Sequence, residues 1–288
     1  MKPAPGFMHL RSVDSFWLRR YAVVLAGSTF ALVVAGGLVT SNDAALSIPD
    51  WPLNWGRLIP PLEANIRYEF AHRALALLVT ILTAGIALRM RTRLAFSALA
   101  AVLAQAALGG VVVRFLTPAA ATIAHAALAQ LFFGLTVALV AQTMGTPSRL
   151  SFTPAVVAAV ALFAQTILGA AVRHHIAGVI PHIAGAAVAT VLVMWAGLST
   201  LTSHMDEPAL RRPAMVLLSL TFSQVFLGIA AYAARAAAAG APQPLPYAVW
   251  ITVAHVAVGS LAFGAAVALA LAGQARRQYV ETQRMVAA

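Results

Sequence analysis

Eight stretches of this chain are long enough to cross a bilayer, which takes a helix of about 20 residues. They run roughly over 21–40, 67–88, 94–113, 119–144, 154–172, 176–201, 213–234 and 247–272. The second is apolar and uncharged only over Ala74–Leu88, and it spans only if Glu69, His72 and Arg73 lie in the membrane with it. A backbone in lipid has no water to bond to, so such runs must close their hydrogen bonds internally as helices. The composition agrees: 61% hydrophobic, 9% charged and a mean hydropathy of +0.86 exclude a soluble domain. The fold class expected is therefore an all-α membrane protein with eight transmembrane helices. The formal charge of +11, from 19 basic against 8 acidic residues, would suggest nucleic acid in a soluble chain. Here the basic residues lie between apolar runs, so they report topology and contact with membrane lipid, and no nucleic-acid partner is expected. With no cysteine, disulfides, thiolate metal ligands and a cysteine nucleophile are all excluded.

The short connections carry most of the charge. Arg89, Arg91 and Arg93 lie between the second and third runs, Arg149 between the fourth and fifth, and Arg211 and Arg212 between the sixth and seventh. Arg276, Arg277 and Arg284 follow the eighth. With Lys2, Arg11, Arg19 and Arg20 this puts thirteen of the nineteen basic residues on one side. The positive-inside rule makes that side, and both termini, cytoplasmic. The amino-terminal segment has no cleavage-site pattern, so the first run is expected to be retained. The opposite side holds a long loop, Ser41 to Ile66, and a turn-rich stretch around Pro242, Pro244 and Pro246.

An internal repeat orders the runs. The third ends AQAALGGVVVR (Ala104–Arg114), the fifth AQTILGAAVR (Ala164–Arg173) and the seventh SQVFLGIAAYAAR (Ser223–Arg235); the first ends in a weaker relative, FALVVAGGLVT (Phe30–Thr40). After each, an even-numbered run returns carrying a histidine: His72, His125, His182 and His255. The last three lie six to eight residues past their apolar starts, about 9–12 Å deep at ~1.5 Å per residue. The unit is a helix pair repeated four times. It groups into two pseudo-symmetric four-helix bundles, residues 1–145 and 146–288, with all four histidines at one level.

Imidazole is the usual axial ligand of haem iron, and two histidines on facing helices can clamp one macrocycle. Four histidines in two related halves provide two such sites, whereas a zinc or copper site would need them to converge on one point. The residues one turn on, Ala76, Ala129, Ala186 and Gly259, leave room for a flat group. Arg114, Arg173 and Arg235 end the odd runs against the charge trend, and Arg73 adjoins a histidine. Guanidinium groups suit haem propionates, though snorkelling to the interface is the equal alternative for each. His174 and His175 at the outer mouth, and His9 and His204 in cytoplasmic segments, are expected to be solvated. Only one half has a carboxylate beside its histidine. In Tyr68-Glu69-Phe70-Ala71-His72-Arg73 the three ionisable groups share one turn and one helix face, and such a cluster in a membrane helix is by default functional. The plainer alternative is that Glu69 and Arg73 neutralise each other.

The segment GGLVTSNDAALSIPDWPLNWG (Gly36–Gly56), followed by Glu69-Phe70-Ala71-His72-Arg73, closely resembles the haem A synthase family of cytochrome oxidase assembly enzymes. The repeated Gln-x-x-Leu-Gly motifs and the four histidines extend the likeness over all eight runs. The resemblance implies oxidation of the C8 methyl group of haem O to the formyl group of haem A, by successive hydroxylations and loss of water. It implies substrate haem in the amino-terminal half, near His72 and His125, with Glu69 needed for catalysis. It further implies that His182 and His255 ligate a haem b that transfers electrons. Haem O synthase is then the expected substrate donor, beside a separate electron donor, in a bacterial inner membrane; monomer and oligomer both stay open. Some bacterial members carry a cysteine pair in the first outer loop, and Ile48 and Asn54 stand at those places here.

Two other classes compete. A non-catalytic dihaem cytochrome b accounts for four histidines but not for a single Glu69. A secondary transporter also shows repeats and buried charges, but here no run is broken in mid-membrane and all repeats run the same way.

Overall fold

The computed structural model describes residues 5–145 and 153–287; Lys2 and Arg149 of the charge pattern lie outside them, as do the side chains of His9, Arg11, Arg277 and Arg284. Among the described residues there are eight helices and no strand. They are α1 (Pro5–Ser41), α2 (Ile66–Met90), α3 (Arg93–Arg114), α4 (Ala119–Thr143), α5 (Pro154–Arg173), α6 (Val179–Ser203), α7 (Pro208–Ala237) and α8 (Pro246–Ala287). Each contains a stretch long and apolar enough to span a bilayer. The chain is a multi-pass, all-helical membrane protein.

Local chemistry sets the helix ends. Thr92 and Thr153 accept from the backbone N–H three residues on, each at 3.2 Å, and so cap α3 and α5. Pro154 then occupies the first turn of α5, where a missing N–H costs nothing. Several boundaries differ from the sequence reading: α1 begins at Pro5, well before residue 21, and α8 runs to Ala287, well past residue 272. Helix α7 starts at Pro208 and runs through Pro213, because Pro208 already provides a suitable first turn behind Glu207. Helix α6 starts at Val179 rather than at 176, since Arg173 to Gly178 are spent on a turn with His175 at φ 58°. His182 therefore sits in the first turn of α6, shallower than expected.

Helix α1 packs on α2 and α4, and α3 on α2 and α4, which closes a ring of four; α5 to α8 close a second ring in the same order. The rings meet where α4 touches α5 and α8, and where α1 touches α8. One core gathers Leu25, Val79, Ile86, Phe132 and Leu139; the other gathers Val193, Leu217, Ala266 and Leu269, with Phe133 of α4 reaching into it. Lipid is as apolar as these side chains, so close van der Waals fit at small residues, not burial from water, holds such helices together. The α4–α8 seam shows this. Phe263 lies on Gly134 and Phe133 on Gly264, each so close that an added Cβ would meet ring carbon at about 3 Å. Between them Gln130 Nε2 donates to Ser260 Oγ at 2.8 Å, both side chains buried. Large side chains such as Leu77, Ile81, Val188, Phe222 and Ile229 point outward, where lipid solvates them.

Candidate functional site: two histidine pairs and a latched loop

Each repeat brings one glycine of an odd helix against the histidine of the next helix. A Cβ on Gly36, Gly109, Gly169 or Gly228 would stand 3.1–3.2 Å from Cε1 of His72, His125, His182 or His255 respectively. Four contacts of one geometry explain why the repeat keeps a glycine there: any side chain would push the imidazole away. Each histidine is half-buried. Nδ1 of His72, His125 and His255 is fully buried with no hydrogen bond of good geometry. The main-chain carbonyls of Leu32, Gln105 and Gln224 approach these three rings. A ligating histidine ordinarily turns its second nitrogen to such a carbonyl, which frees the other for a metal.

The residues present fit a haem ligated on both faces. The rings of His182 and His255 have centroids 6.4 Å apart and planes at 81°. One ion bonded at about 2 Å to a nitrogen of each ring would hold the ring centres about 6 Å apart. His72 and His125 lie within electrostatic reach of each other. The structure thus pairs the histidines across even-numbered helices. Among the described residues no three His, Cys, Asp or Glu side chains form a metal-binding cluster.

Beside the first pair stands the turn carrying Glu69, which is 3% exposed. Its Oε1 receives Arg73 Nη2 at 2.5 Å, and its Oε2 accepts the Ile48 backbone N–H at 2.8 Å. Arg73 reaches further into the loop. Its Nη2 donates to Ile48 O at 2.9 Å, and its Nη1 to Asp50 O at 2.7 Å, Leu53 O at 2.8 Å and Asn54 Oδ1 at 3.4 Å. The guanidinium therefore bridges Ile48 and Asn54, the two places at which a cysteine pair stands in some members of the family that the sequence resembles. Within the loop, Asp50 accepts from the N–H groups of Trp55 at 2.6 Å and Gly56 at 2.7 Å. The Gly56 N–H first, then the Trp55 N–H and the nearby Arg73 charge, hold the Asp50 carboxyl below its ordinary range. The loop ends are joined by Asn65 Nδ2 donating to Asn42 O at 3.0 Å.

So held, the loop lays Trp51 on α3. A Cβ on Gly110 would meet the indole at 2.9 Å. The adjacent Gly109 contacts His125, so two neighbouring glycines receive the lid and the candidate ligand. The Gly-Gly pair is visible in the sequence, but nothing there says that Trp51 reaches the second glycine.

The expected cationic residues divide. Arg73 is engaged by the loop. Arg114 is exposed at the end of α3. Arg173 Nη2 donates to Thr40 O at 2.5 Å, tying α5 to the end of α1, and Asp43 and Arg235 lie near it. His174 is half-buried rather than solvated; burial, then Arg173, His175 and Arg235, push its imidazole below the ordinary range. His175 is exposed. His204 and Arg276 gather around Glu207 at the other end of the bundle.

Residues 19–71 match a family model described as cytochrome oxidase assembly protein. That segment contains most of α1, the whole latched loop and Glu69. A protein named "Heme A synthase" in Roseobacter denitrificans is 31% identical over 147 residues. The alignment covers 44% of this chain and 38% of that relative, so the chain spans well under half the length of the relative it matches. The chain is thus similar to cytochrome oxidase assembly proteins over the segment that builds the loop and the Glu69 turn, and to a protein named "Heme A synthase" over 147 residues.

Proposed function

We propose that the protein is a haem A synthase: an oxidoreductase of the bacterial inner membrane that converts the C8 methyl group of haem O to the formyl group of haem A. The observation that carries this reading is that the matched segment, 19–71, is the one that builds a latched loop and a buried carboxylate over just one of the two histidine pairs. On this reading the residues before 146 bind the substrate haem and those after 145 bind haem b. His72 and His125 hold the haem O iron, while His182 and His255 ligate haem b. Haem b supplies one-electron transfer when bound. Two hydroxylations, each a two-electron oxidation of the carbon that consumes an external oxidant and adds one oxygen atom, take the methyl carbon through CH2OH to CH(OH)2, and loss of water leaves the aldehyde.

The chain's own residues do the rest. The Gly–His contacts fix the imidazoles in the membrane, where apolar walls raise the cost of any misplaced charge. Trp51 on Gly110 closes the loop over the first pair and excludes water. Glu69, one turn before His72, is the carboxylate of that site and fastens the loop through Ile48 and Arg73. Arg173 and Arg235, with Arg114 at the same end of the odd helices, are the cations for propionates. A farnesylated substrate is delivered by haem O synthase through the lipid, and a membrane or soluble reductant provides the electrons.

Extraction and mass analysis of the haem from purified protein tests the proposal. Haem O, a hydroxylated intermediate or haem A beside haem b supports it. Haem b at both sites would instead identify a dihaem electron carrier, the reading for which the His182–His255 geometry speaks.

A further inference from the structure

Three of the four histidine helices are fastened to the preceding odd helix by a glutamine that lies one turn before the packed glycine. Gln105 Nε2 donates to the His125 carbonyl at 2.9 Å. Gln165 Nε2 donates to the His182 carbonyl at 2.7 Å and stands 2.9 Å from that ring's Nδ1. Gln224 Nε2 stands 3.4 Å from His255 Nε2. A helical carbonyl has a second lone pair, so the amide can bond it without breaking the helix ladder. Because the partner in the first two cases is a carbonyl oxygen, the contacting amide atom must be the nitrogen. Oε1 of all three glutamines is buried without a hydrogen-bond partner. The amides of Gln105 and Gln165 are therefore placed for their donors, at the cost of their acceptors, while Gln224 faces the His255 ring itself.

Helix α1 breaks the pattern. One turn before Gly36 stands Leu32, which packs in the core and offers no donor. Helix α2 is instead tied to the loop by Glu69 and Arg73, on the turn that carries His72. On the reading that the four histidines ligate haem iron, we propose that Gln105, Gln165 and Gln224 are positioning residues for His125, His182 and His255. His72 is positioned from the loop, through Arg73 and Glu69. Beyond the glycine contact that all four share, it is the one ligand whose helix turn is also tied to the loop. The two candidate sites thereby differ: His182 and His255 are both held by the bundle itself, while the first site has one ligand held by the bundle and one held by the lid.

The test is haem loss from purified protein to excess apomyoglobin, followed for each haem species. Replacing a partner that orients a ligand typically costs about 10–100-fold in affinity for the metal. Gln165→Met, which keeps the volume and removes the donor, should speed haem b loss by that factor and leave the other haem unchanged. Arg73→Met should speed loss from the His72/His125 site alone, and adding Leu32→Gln should slow it again by supplying the missing clamp. Wild-type loss rates in Gln105→Met and Gln165→Met, or no rescue by Leu32→Gln, would overturn the proposal. Should the Met variants fail to accumulate, Leu32→Gln in the otherwise native chain must slow haem O loss; an unchanged or faster rate refutes the idea. A native protein without haem would sink the ligand reading and this inference together. If His182→Ala abolishes haem b but Gln165→Met has no effect, only the inference fails.

Discussion

Glu69 and Arg73 show what a single buried ion pair does when it also holds backbone. The carboxylate spends one oxygen on Arg73 and the other on the Ile48 N–H. A hydrogen bond to a charged group is worth about 1.5–3 kcal/mol, and removing one partner of a buried pair costs more than the pair contributes. Arg73 has more to lose, since it also bonds three loop carbonyls. Arg73→Ala is therefore expected to destabilise the loop more than Glu69→Gln, by roughly 2–4 kcal/mol against 1–2, read as protease sensitivity of residues 42–65 in detergent. Glu69→Gln separates the two roles of this carboxylate. If Glu69 serves the chemistry, the variant keeps its loop and its haem b spectrum but accumulates haem O or a partly oxidised intermediate. Proportional loss of folded protein and of product would show that the latch is its whole contribution.

At the scale of the element, the loop is rigid because its own side chains replace the hydrogen bonds that strands or helices would supply. Asp50 satisfies two N–H groups, at Trp55 and Gly56, where Trp55 has φ 56° and Gly56 φ 67°. A carboxyl held below its ordinary value adds stability above the unfolded pKa of about 3.9 and loses it as pH falls through the lower folded value. The tryptophan emission of the loop should thus stay constant from neutral pH to about pH 4 and change only below that. Asp50→Asn should remove that acid step. A change centred near pH 6 would contradict the assignment. Gly110→Ala should lift Trp51, since the indole has no room to meet a Cβ at 2.9 Å. Product formation is expected to fall by about tenfold, the order of effect that a misplaced active-site wall produces, with haem b content unchanged. Equal losses of activity and folded protein would instead make Trp51 an interfacial anchor, the ordinary station for tryptophan.

For the whole molecule, two rings of four helices meet along α4 and α8, the helices that carry His125 and His255. Phe133/Gly134 and Phe263/Gly264 interlock reciprocally, and Gln130 meets Ser260, residues separated by 130 positions, the same offset that separates the two histidines. That contact joins the two rings, and on the proposed reading each ring holds a site that can be disabled separately. His182→Ala or His255→Ala should deplete the haem b signal while substrate haem remains bound; His72→Ala or His125→Ala should do the reverse. Loss of the same haem from both sets would end the division into halves. With both termini proposed to be cytoplasmic, a reporter fused after Ala288 should be active only when it needs the cytoplasm.

The sequence by itself determined the eight helices, because a backbone in lipid admits few other solutions and hydropathy reads out their lengths. It also placed one histidine on each even-numbered helix, because the repeat is written four times, though not its depth, since His182 stands in the first turn of α6. It marked Glu69-x-x-His-Arg as unusual, because charges in lipid are costly. The ends of α6 and α7 were less legible. A turn at His175 and a helix that runs through Pro213 depend on what the neighbouring chain does with its backbone groups. The pairing of Glu69 with Arg73 follows from their spacing, but only the tertiary structure decided what else they bind, since those partners are main-chain atoms of Ile48, Asp50 and Leu53, which no side-chain pattern encodes. The same holds for Trp51 on Gly110 and for Gln105 and Gln165 on histidine carbonyls. Contacts made to backbone from about 20 or more residues away leave no spacing in the sequence to read, and they exist only once the helices have packed.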